Sequence, residues 1–198
     1  MRIEKLEAWQ VLDSRGNPTL AVEVRLANGA RATAMVPAGA STGAHEAVEL
    51  RDGDGGGYGG RSVGRAVAHV NGEIDRALRR FDARDQAGVD GRMIELDGTA
   101  NKSRLGANAI LGVSMAVARA AAQAGGVPLW QYLAGERKPA LPLPMINIFS
   151  GGLHAGRQLE FQDFLVIPHG CGALPAALEA AVAIHRAAGR VTSEAGYV

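Results

Sequence analysis

The sequence predicts an α+β domain, made of an antiparallel meander and helices, followed by the beginning of an α/β (TIM-like) barrel. Strand-like alternation occupies residues 3–36, and helical periodicity follows over 61–134. Short, almost continuous apolar runs appear only after a proline-rich segment at 136–144. We therefore expect two domains, at residues 1–138 and 139–198, the second of which contains only the first strands and helix of a barrel.

The composition excludes several classes of protein. The 198 residues carry a formal net charge of +1, which provides no electrostatic footprint for nucleic acid or an anionic membrane. The sequence has no apolar run of about 18 residues that would span a membrane, and its N-terminus lacks the apolar core of a signal peptide. The single cysteine, Cys171, excludes an internal disulfide. We therefore expect a cytoplasmic protein.

The N-terminal segment predicts three antiparallel strands. Residues 3–12 and 20–27 alternate between apolar and polar side chains, and a third extended run covers 30–36. A cluster of turn-forming residues at 13–19 separates the first two runs. Asn28-Gly29, the strongest short hairpin signal, separates the next two.

A loop at residues 36–46 leaves the third strand. Its sequence, VPAGASTGAHE, combines two glycines with two adjacent hydroxyls, a histidine and a carboxylate. Backbone N–H groups in such loops can bind an anion, and a Ser or Thr hydroxyl can coordinate a hard cation. No Gly-Lys-Ser/Thr closes the segment, so it is not a P-loop. Taken alone, the pattern favours a plain connection of small residues.

A second glycine-rich segment, residues 53–60, contains the pattern G-x-G-x-x-G at Gly55, Gly57 and Gly60. A dinucleotide site needs a hydrophobic strand immediately before these glycines. Residues 50–54 are instead polar and turn-like. We interpret the segment as a loop.

Helical periodicity then predicts four helices before the proline-rich segment. The third is rich in alanine, the best helix former, and Gly125-Gly126 followed by Pro128 ends it. The four predicted helices span about 61–81, 83–95, 104–124 and 128–134.

The last part of the sequence predicts two strands and one helix. Residues 145–149 and 161–167 are typical of strands buried on both faces, and a helix is predicted over 175–188. These elements cannot cover their own apolar faces, so we expect the start of a larger βα barrel.

Four polar residues stand out in this last part. His154 follows a glycine turn, Gln162 and Asp163 interrupt an apolar strand, and Glu194 lies in a terminal turn. A charge on a doubly buried strand is costly unless it is paired or bound to a metal. A structural carboxylate at Asp163, a capping histidine at His154 and a surface glutamate at Glu194 remain open interpretations.

Long motifs in both predicted domains resemble the enolase (phosphopyruvate hydratase) family. The resemblance runs in register from about residue 3 to the end of the sequence. The motifs are VLDSRGNPT at 11–19, VPAGASTGAHE at 36–46, ELRDGD at 49–54, LDGTANKSRLGANAILGVS at 96–114, PMINI at 144–148, GGLHA at 151–155 and QDF at 162–164.

The resemblance implies an N-terminal α+β domain and a barrel from about residue 143. It also implies the reversible dehydration of 2-phosphoglycerate to phosphoenolpyruvate in glycolysis, with Mg²⁺ as the cofactor and a homodimer as the assembly. In this family a lysine removes the α-proton, two Mg²⁺ ions stabilise the enolate and a glutamate helps to expel hydroxide. Metal charge is needed because a proton next to a carboxylate is barely acidic without it.

The resemblance also assigns roles to single residues. Ser41 matches the loop serine that coordinates the second Mg²⁺ beside the substrate. His154 matches a histidine that closes over the substrate, and Gln162 matches a substrate-site glutamine. Asp163 stands where the family has an active-site glutamate, in contact with the substrate. Glu194, within VTSEAGY, matches the proton donor to the leaving hydroxyl in the family's Val-Gly-Asp-Glu-Gly-Gly-Phe.

Departures from the family pattern cluster around these residues. Asp163 is one methylene shorter than glutamate, and misplacement by about 1 Å can cost ~10²-fold in rate. Leu153 replaces a polar residue, Ser150 replaces an asparagine, and Ala195 alters the turn after Glu194. This pattern suggests an alternative, an enolase-like paralogue that acts on a phospho- or phosphono-carboxylic acid in specialised metabolism, similar to carboxyphosphonoenolpyruvate synthase.

A second alternative follows from the length of the sequence. The family's base lysine, its three carboxylate ligands for the first Mg²⁺ and its phosphate-binding arginine lie further along a full-length chain. We therefore expect these 198 residues to lack the base and the main metal site. On this view the chain is a non-catalytic enolase fragment that acts only through binding.

Overall fold

The chain forms two compact units, Met1–Glu136 and Arg137–Val198. The first is the α+β domain that the sequence predicts, with an antiparallel meander and helices. The second contains the first strands and helix of the predicted barrel, and its described residues form no closed sheet. The computed structural model describes residues 1–39, 42–55, 57–152, 156 and 159–197.

The sheet of the first unit has three strands in the order β1 (Ile3–Leu12), β2 (Pro18–Leu26) and β3 (Arg31–Met35). Both pairs are antiparallel, which confirms the predicted meander. The central strand, β2, is buried along most of its length, because it has a neighbour on each side and a helix on one face.

The two turns between these strands confirm the sequence pattern. The Asp13 carboxylate accepts the backbone N–H groups of Arg15 and Asn17, each at 2.8 Å, and so closes the first turn. Gly29 takes a φ of +86° in the second turn, a conformation that glycine adopts without strain.

The helices of the first unit differ from the prediction mainly in their limits. The helix predicted over 61–81 is shorter and contains a π-helical turn. Its start is fixed by Asp52, whose carboxylate accepts the N–H groups of Gly64 and Arg65 at 2.9 and 2.8 Å. The elements are α1 (Gly64–His69), the π-helical turn (Val70–Ile74), α2 (Asp75–Leu78), α3 (Gln86–Asp97), α4 (Ala107–Ala124) and α5 (Leu129–Ala134).

The long helix α4 lies on β2 and β3 and forms the centre of the core. Gly112 makes the close approach possible, since a Cβ at this position would lie 2.8 Å from Val22 Cγ2 and 3.1 Å from Val36 Cγ2. Other fully buried side chains of this core include Leu6, Leu20, Val24, Ile74, Met93 and Leu105.

The second unit contains a pair of antiparallel strands, β4 (Ile146–Ser150) and β5 (Asp163–Val166), and the helix α6 (Leu174–Glu194). The prediction that these strands are buried on both faces is wrong, because most of their residues are exposed. Within the described residues each strand has one neighbouring strand, and more than half of the residues in each strand are exposed.

Helix α6 is longer than predicted and ends at Glu194, which therefore lies in the last turn of a helix and not in a separate terminal turn. An alanine-rich sequence carries the helix past Gly189, and the Thr192 hydroxyl donates to the carbonyls of Ala188 and Gly189 at 3.1 and 3.0 Å. No helix in the described part of the chain is long and apolar enough to cross a membrane.

Candidate functional site

The 36–46 loop leaves β3 through two fixed hydrogen bonds. The Thr19 hydroxyl donates to the Val36 carbonyl at 2.8 Å, and the Val36 N–H donates to the Leu20 carbonyl at 3.0 Å. Two residues later Arg15 Nη2 donates to the Ala38 carbonyl at 2.7 Å. The predicted metal ligand Ser41 lies outside the described residues.

The chain that returns from the loop is held by α4. The Leu50 N–H donates to Asn108 Oδ1 and Asn108 Nδ2 donates to the Leu50 carbonyl, each at 3.1 Å. Asn108 is 2% exposed, so its amide takes the place of a strand partner in the interior. The Val48 N–H also donates to the Asn101 carbonyl at 2.8 Å. The sequence motif at 96–114 therefore anchors the far end of the loop, a role that periodicity alone did not reveal.

Two cavities adjoin the first part of the loop, and Ala38 and Gly39 line both. The larger has a volume of about 400 Å³ and is lined in part by α3 and α4, and its charged lining residues are Glu46, Glu49, Asp90 and Lys102. The smaller has a volume of about 300 Å³ and is also lined by the turn between β1 and β2 and by Arg51 and Arg61.

Three arginines line the smaller cavity. Arg51 donates to the carbonyls of Pro18 and Arg61 and pairs with Glu49 at 2.6 Å, whereas Arg61 donates to Asn17 Oδ1 at 2.8 Å. Arg15 reaches the loop itself. Sequence analysis did not select these arginines, because they are scattered over three segments that only the fold brings together.

An ionised carboxylate lies beside these arginines. Backbone hydrogen bonds, the largest from the Asn17 N–H and a further one from Arg15, lower the pKa of the Asp13 carboxyl against the opposing effect of burial. Its Oδ2 lies 3.7 Å from Arg15 Nη2. The cavity therefore combines three positive charges with one negative charge.

The strand pair of the second unit positions Asp163, the first residue of β5. Asn147 Nδ2 donates to Asp163 Oδ1 at 2.9 Å and to Ser150 Oγ at 2.7 Å. These three side chains lie on neighbouring strands, and Ser150 pairs directly with Asp163. Asn147 is a residue that sequence reasoning missed as part of this site, although it belongs to the PMINI motif.

Gln162 precedes this strand and is exposed. Its carbonyl accepts the Gly151 N–H at 2.6 Å, so its backbone is fixed while its side chain faces solvent. Only glycine fits at position 151, since a Cβ there would lie 1.9 Å from the Phe161 carbonyl oxygen. The glycine turn thus positions the backbone that carries the QDF motif.

Two predicted residues of the second unit remain. His154 lies outside the described residues, and Glu194 is exposed at the end of α6. Within the ranges that the structure describes, no three His, Cys, Asp or Glu side chains form a group that could hold a metal ion. A cavity of about 430 Å³ in the second unit is lined by proline, glycine and apolar residues around Cys171, and by none of the predicted site residues that the structure describes.

Comparison with known protein families gives two consecutive matches. Residues 3–133 match the family model described as the enolase N-terminal domain. Residues 138–197 match the family model described as the enolase C-terminal TIM barrel domain. The first match alone covers more than half of the chain.

Proposed function

Because the chain belongs to the enolase family, we propose that it serves the reversible, Mg²⁺-dependent dehydration of 2-phosphoglycerate to phosphoenolpyruvate in glycolysis. The observation that carries the proposal is the pair of consecutive matches, which follow one another in the chain as N-terminal domain and barrel. This is lyase chemistry on a carbon–oxygen bond. Family resemblance further supports a cytoplasmic homodimer.

The reaction removes a proton from the carbon next to the carboxylate and a hydroxide from the following carbon. We assign Gln162 to the binding of the phosphorylated carboxylic acid, because its exposed amide offers both donors and an acceptor. Asp163 and His154 act on the same substrate, and Glu194 gives a proton to the leaving hydroxide. Each assignment follows the position of the residue in a family motif.

Mg²⁺ would stabilise the negative charge that develops on the substrate. The described residues do not fit a complete Mg²⁺ site, since they bring no three metal-binding side chains together. We therefore assign to Ser41 one metal contact only and derive no step from the metal.

The geometry of Asp163 favours the alternative of a paralogue with a related phospho- or phosphono-carboxylic acid as its substrate. Its carboxylate is short and is held against β4 by Asn147. A glutamate at this position would reach about 1 Å further, a distance large enough to change which substrate atom is contacted. Asp163→Glu should therefore raise the affinity for 2-phosphoglycerate if the paralogue reading is correct.

Calorimetric titration and a turnover assay on the purified chain test these proposals. Mg²⁺ is present in both, and 2-phosphoglycerate is compared with a phosphonate analogue. Gln162→Ala should weaken binding about tenfold or more, whereas Gln131→Ala, which replaces an exposed glutamine on α5, should not.

Turnover of 2-phosphoglycerate supports the enolase proposal, and binding without turnover supports a non-catalytic fragment. Preference for the phosphonate supports the paralogue, and absence of binding to either compound contradicts the proposal.

A further inference from the structure

The smaller cavity of the first unit, with a volume of about 300 Å³, offers a ligand arginines before it offers a carboxylate. Arg15, Arg51 and Arg61 all line it, together with Asp13. The Arg15 side chain is 46% exposed and that of Asp13 is 14% exposed. The Asp13 carboxylate is turned into the protein, because its Oδ1 accepts the N–H groups of Arg15 and Asn17 and its Oδ2 is buried. A ligand in this cavity therefore meets hydrogen-bond donors first.

The positive charges of these arginines are only partly balanced. Arg51 pairs with Glu49 at 2.6 Å, and Asp13 Oδ2 lies 3.7 Å from Arg15 Nη2. In the part of the chain that the structure describes, Arg61 forms no ion pair, and its guanidinium donates to a neutral side-chain amide at 2.8 Å. Three guanidinium groups thus face two carboxylates, and one positive charge is left for a ligand to neutralise.

Arg15 and Arg61 also have donors to offer a ligand. A guanidinium group carries five N–H donors. Within the described ranges, that of Arg15 donates through one nitrogen to the Ala38 carbonyl, and that of Arg61 donates through one nitrogen to Asn17 Oδ1. Arg51 differs, because it already donates to two backbone carbonyls and a carboxylate. The first two arginines can therefore bind a ligand, whereas Arg51 mainly holds the wall of the cavity together.

A phosphate group fits this combination of charge and donors. The planar fork of arginine matches the oxygens of phosphates and carboxylates. The arginines reach the cavity from three separate segments, and a tetrahedral phosphate offers oxygens in several directions, whereas a carboxylate offers two in one plane. A volume of about 300 Å³ is at the lower end of ligand pockets and suits a small molecule.

We propose that this cavity is an anion site that binds a phosphate group, either as the free ion or as part of a small phosphate monoester. Arg15 and Arg61 donate to the phosphate oxygens, and Arg51 adds its charge from a fixed position. The inference goes beyond the proposed dehydration, since none of these arginines has an assigned role in it. Its test uses neither Mg²⁺ nor turnover, so the anion site and the enzymatic proposal can fail separately.

Calorimetric titration of the full chain tests the site. The probes are inorganic phosphate and ethyl phosphate, at constant ionic strength and without Mg²⁺, and one anion should bind per chain. Arg61→Ala should weaken binding of both probes about tenfold or more, because a charged donor is lost. Arg76→Ala, which replaces an exposed arginine on α2, is the matched control and should leave the affinity unchanged. Gln162→Ala should also leave it unchanged, because this residue belongs to the second unit.

Arg61→Lys adds a test by conservative replacement. A lysine keeps the charge but lacks the planar fork, so the affinity should fall between those of wild type and Arg61→Ala. If Arg61→Ala does not fold, Arg61→Lys is compared with Arg76→Lys, and weaker binding in the first alone supports the site.

The two probes distinguish the sources of the phosphate group. Tighter binding of ethyl phosphate supports a phosphate monoester as the ligand, tighter binding of inorganic phosphate supports the free ion, and equal affinities support recognition of the phosphate group alone. Three results overturn the proposal. They are the absence of binding of either probe at about 10 mM, equal weakening in Arg61→Ala and in either control variant, and acetate binding as tight as that of phosphate.

Discussion

Asn71 completes the hydrogen bonding of Ala8 at the edge of the sheet. The Ala8 N–H donates to Asn71 Oδ1 at 2.7 Å, and Asn71 Nδ2 donates to the Ala8 carbonyl at 2.9 Å. Asp75 accepts the Leu6 N–H at 2.8 Å in the same way. An edge strand presents unpaired backbone N–H and C=O groups that can pair with another chain. Asn71, on the π-helical turn, and Asp75, directly after it, form hydrogen bonds with these groups of β1.

Replacement of Asn71 should therefore destabilise the first unit. Asn71→Ala leaves the two backbone groups of Ala8 without partners in a partly buried site, and we expect a loss of about 2 kcal/mol in the free energy of unfolding. Asn28→Ala is the control, since this exposed asparagine makes only a local bond to Ala30, and its cost should stay below about 1 kcal/mol. Urea unfolding measures both variants, and equal costs would contradict the role assigned to Asn71.

Gly112 should be hard to replace, because it packs against the buried side chains of Val22 and Val36. Gly112→Ala gains about 1 kcal/mol of helix propensity but forces a Cβ against Val22 and Val36, which typically costs 1–3 kcal/mol, so a net loss is expected. Gly91→Ala on α3 meets no atom within 4 Å and should stabilise the protein by about 0.5–1 kcal/mol. Thermal unfolding of the two variants should shift in opposite directions, and a stabilised Gly112→Ala would show that α4 can move away from the sheet.

The sequence predicted the elements of the first unit well, because alternation and turn residues are local signals. The meander and its Asn28-Gly29 hairpin were visible in this way. The π-helical turn was not predicted, and its residue Asn71 hydrogen-bonds to Ala8, 63 positions earlier, a contact that no local pattern indicates. The arginine-lined cavity was missed for the same reason, and the burial of β4 and β5 was overestimated because an apolar run indicates a preference for burial without supplying a covering layer.

The candidate site was predicted unevenly. Motif resemblance selected Gln162 and Asp163, which lie directly before β5 and at its first residue, but it gave no sign that Asn147 donates a hydrogen bond to the Asp163 carboxylate. That contact depends on strand register, and the β4–β5 pair contains an irregularity between Asn147 and Phe149 that no periodicity reveals. Glu194 was placed in a turn because glycine and polar residues surround it, whereas local helix propensity carried α6 through it.

Asp97 should make the stability of the first unit depend on acid pH. Burial opposes ionisation of this carboxyl, but hydrogen bonds from the Thr99 hydroxyl and from the N–H groups of Leu105 and Thr99, with the Arg104 charge, lower its pKa below the ordinary 3.8. The folded state therefore favours the carboxylate. Its stabilisation is complete above pH 3.8 and is lost as the pH falls through the lower folded-state pKa.

Two variants check this dependence by urea unfolding at a series of pH values. Asp97→Asn should be less stable than wild type at pH 7, because its amide donor faces the Leu105 N–H. Below pH 3.8 its free energy of unfolding should fall less with decreasing pH than that of wild type. Thr99→Val keeps the Asp97 carboxylate but removes its hydroxyl donor. It should therefore reduce the acid-induced loss of unfolding free energy by a smaller amount than Asp97→Asn does. If Asp97→Asn loses unfolding free energy at low pH as steeply as wild type, the acid dependence belongs to other groups.

Asn147 should affect ligand binding more than stability. Its bonds to Asp163 and Ser150 join exposed side chains, so Asn147→Ala should cost less than about 1 kcal/mol in unfolding free energy. If Asp163 contacts the phosphorylated carboxylic acid, loss of its Asn147 partner frees the carboxylate to rotate, and the affinity for 2-phosphoglycerate should fall about tenfold. Asn101→Ala, an exposed asparagine in the first unit, provides the control. Unchanged affinity in Asn147→Ala would mean that Asp163 is a structural partner of β4, because a carboxylate that acts on the substrate depends on the group that orients it.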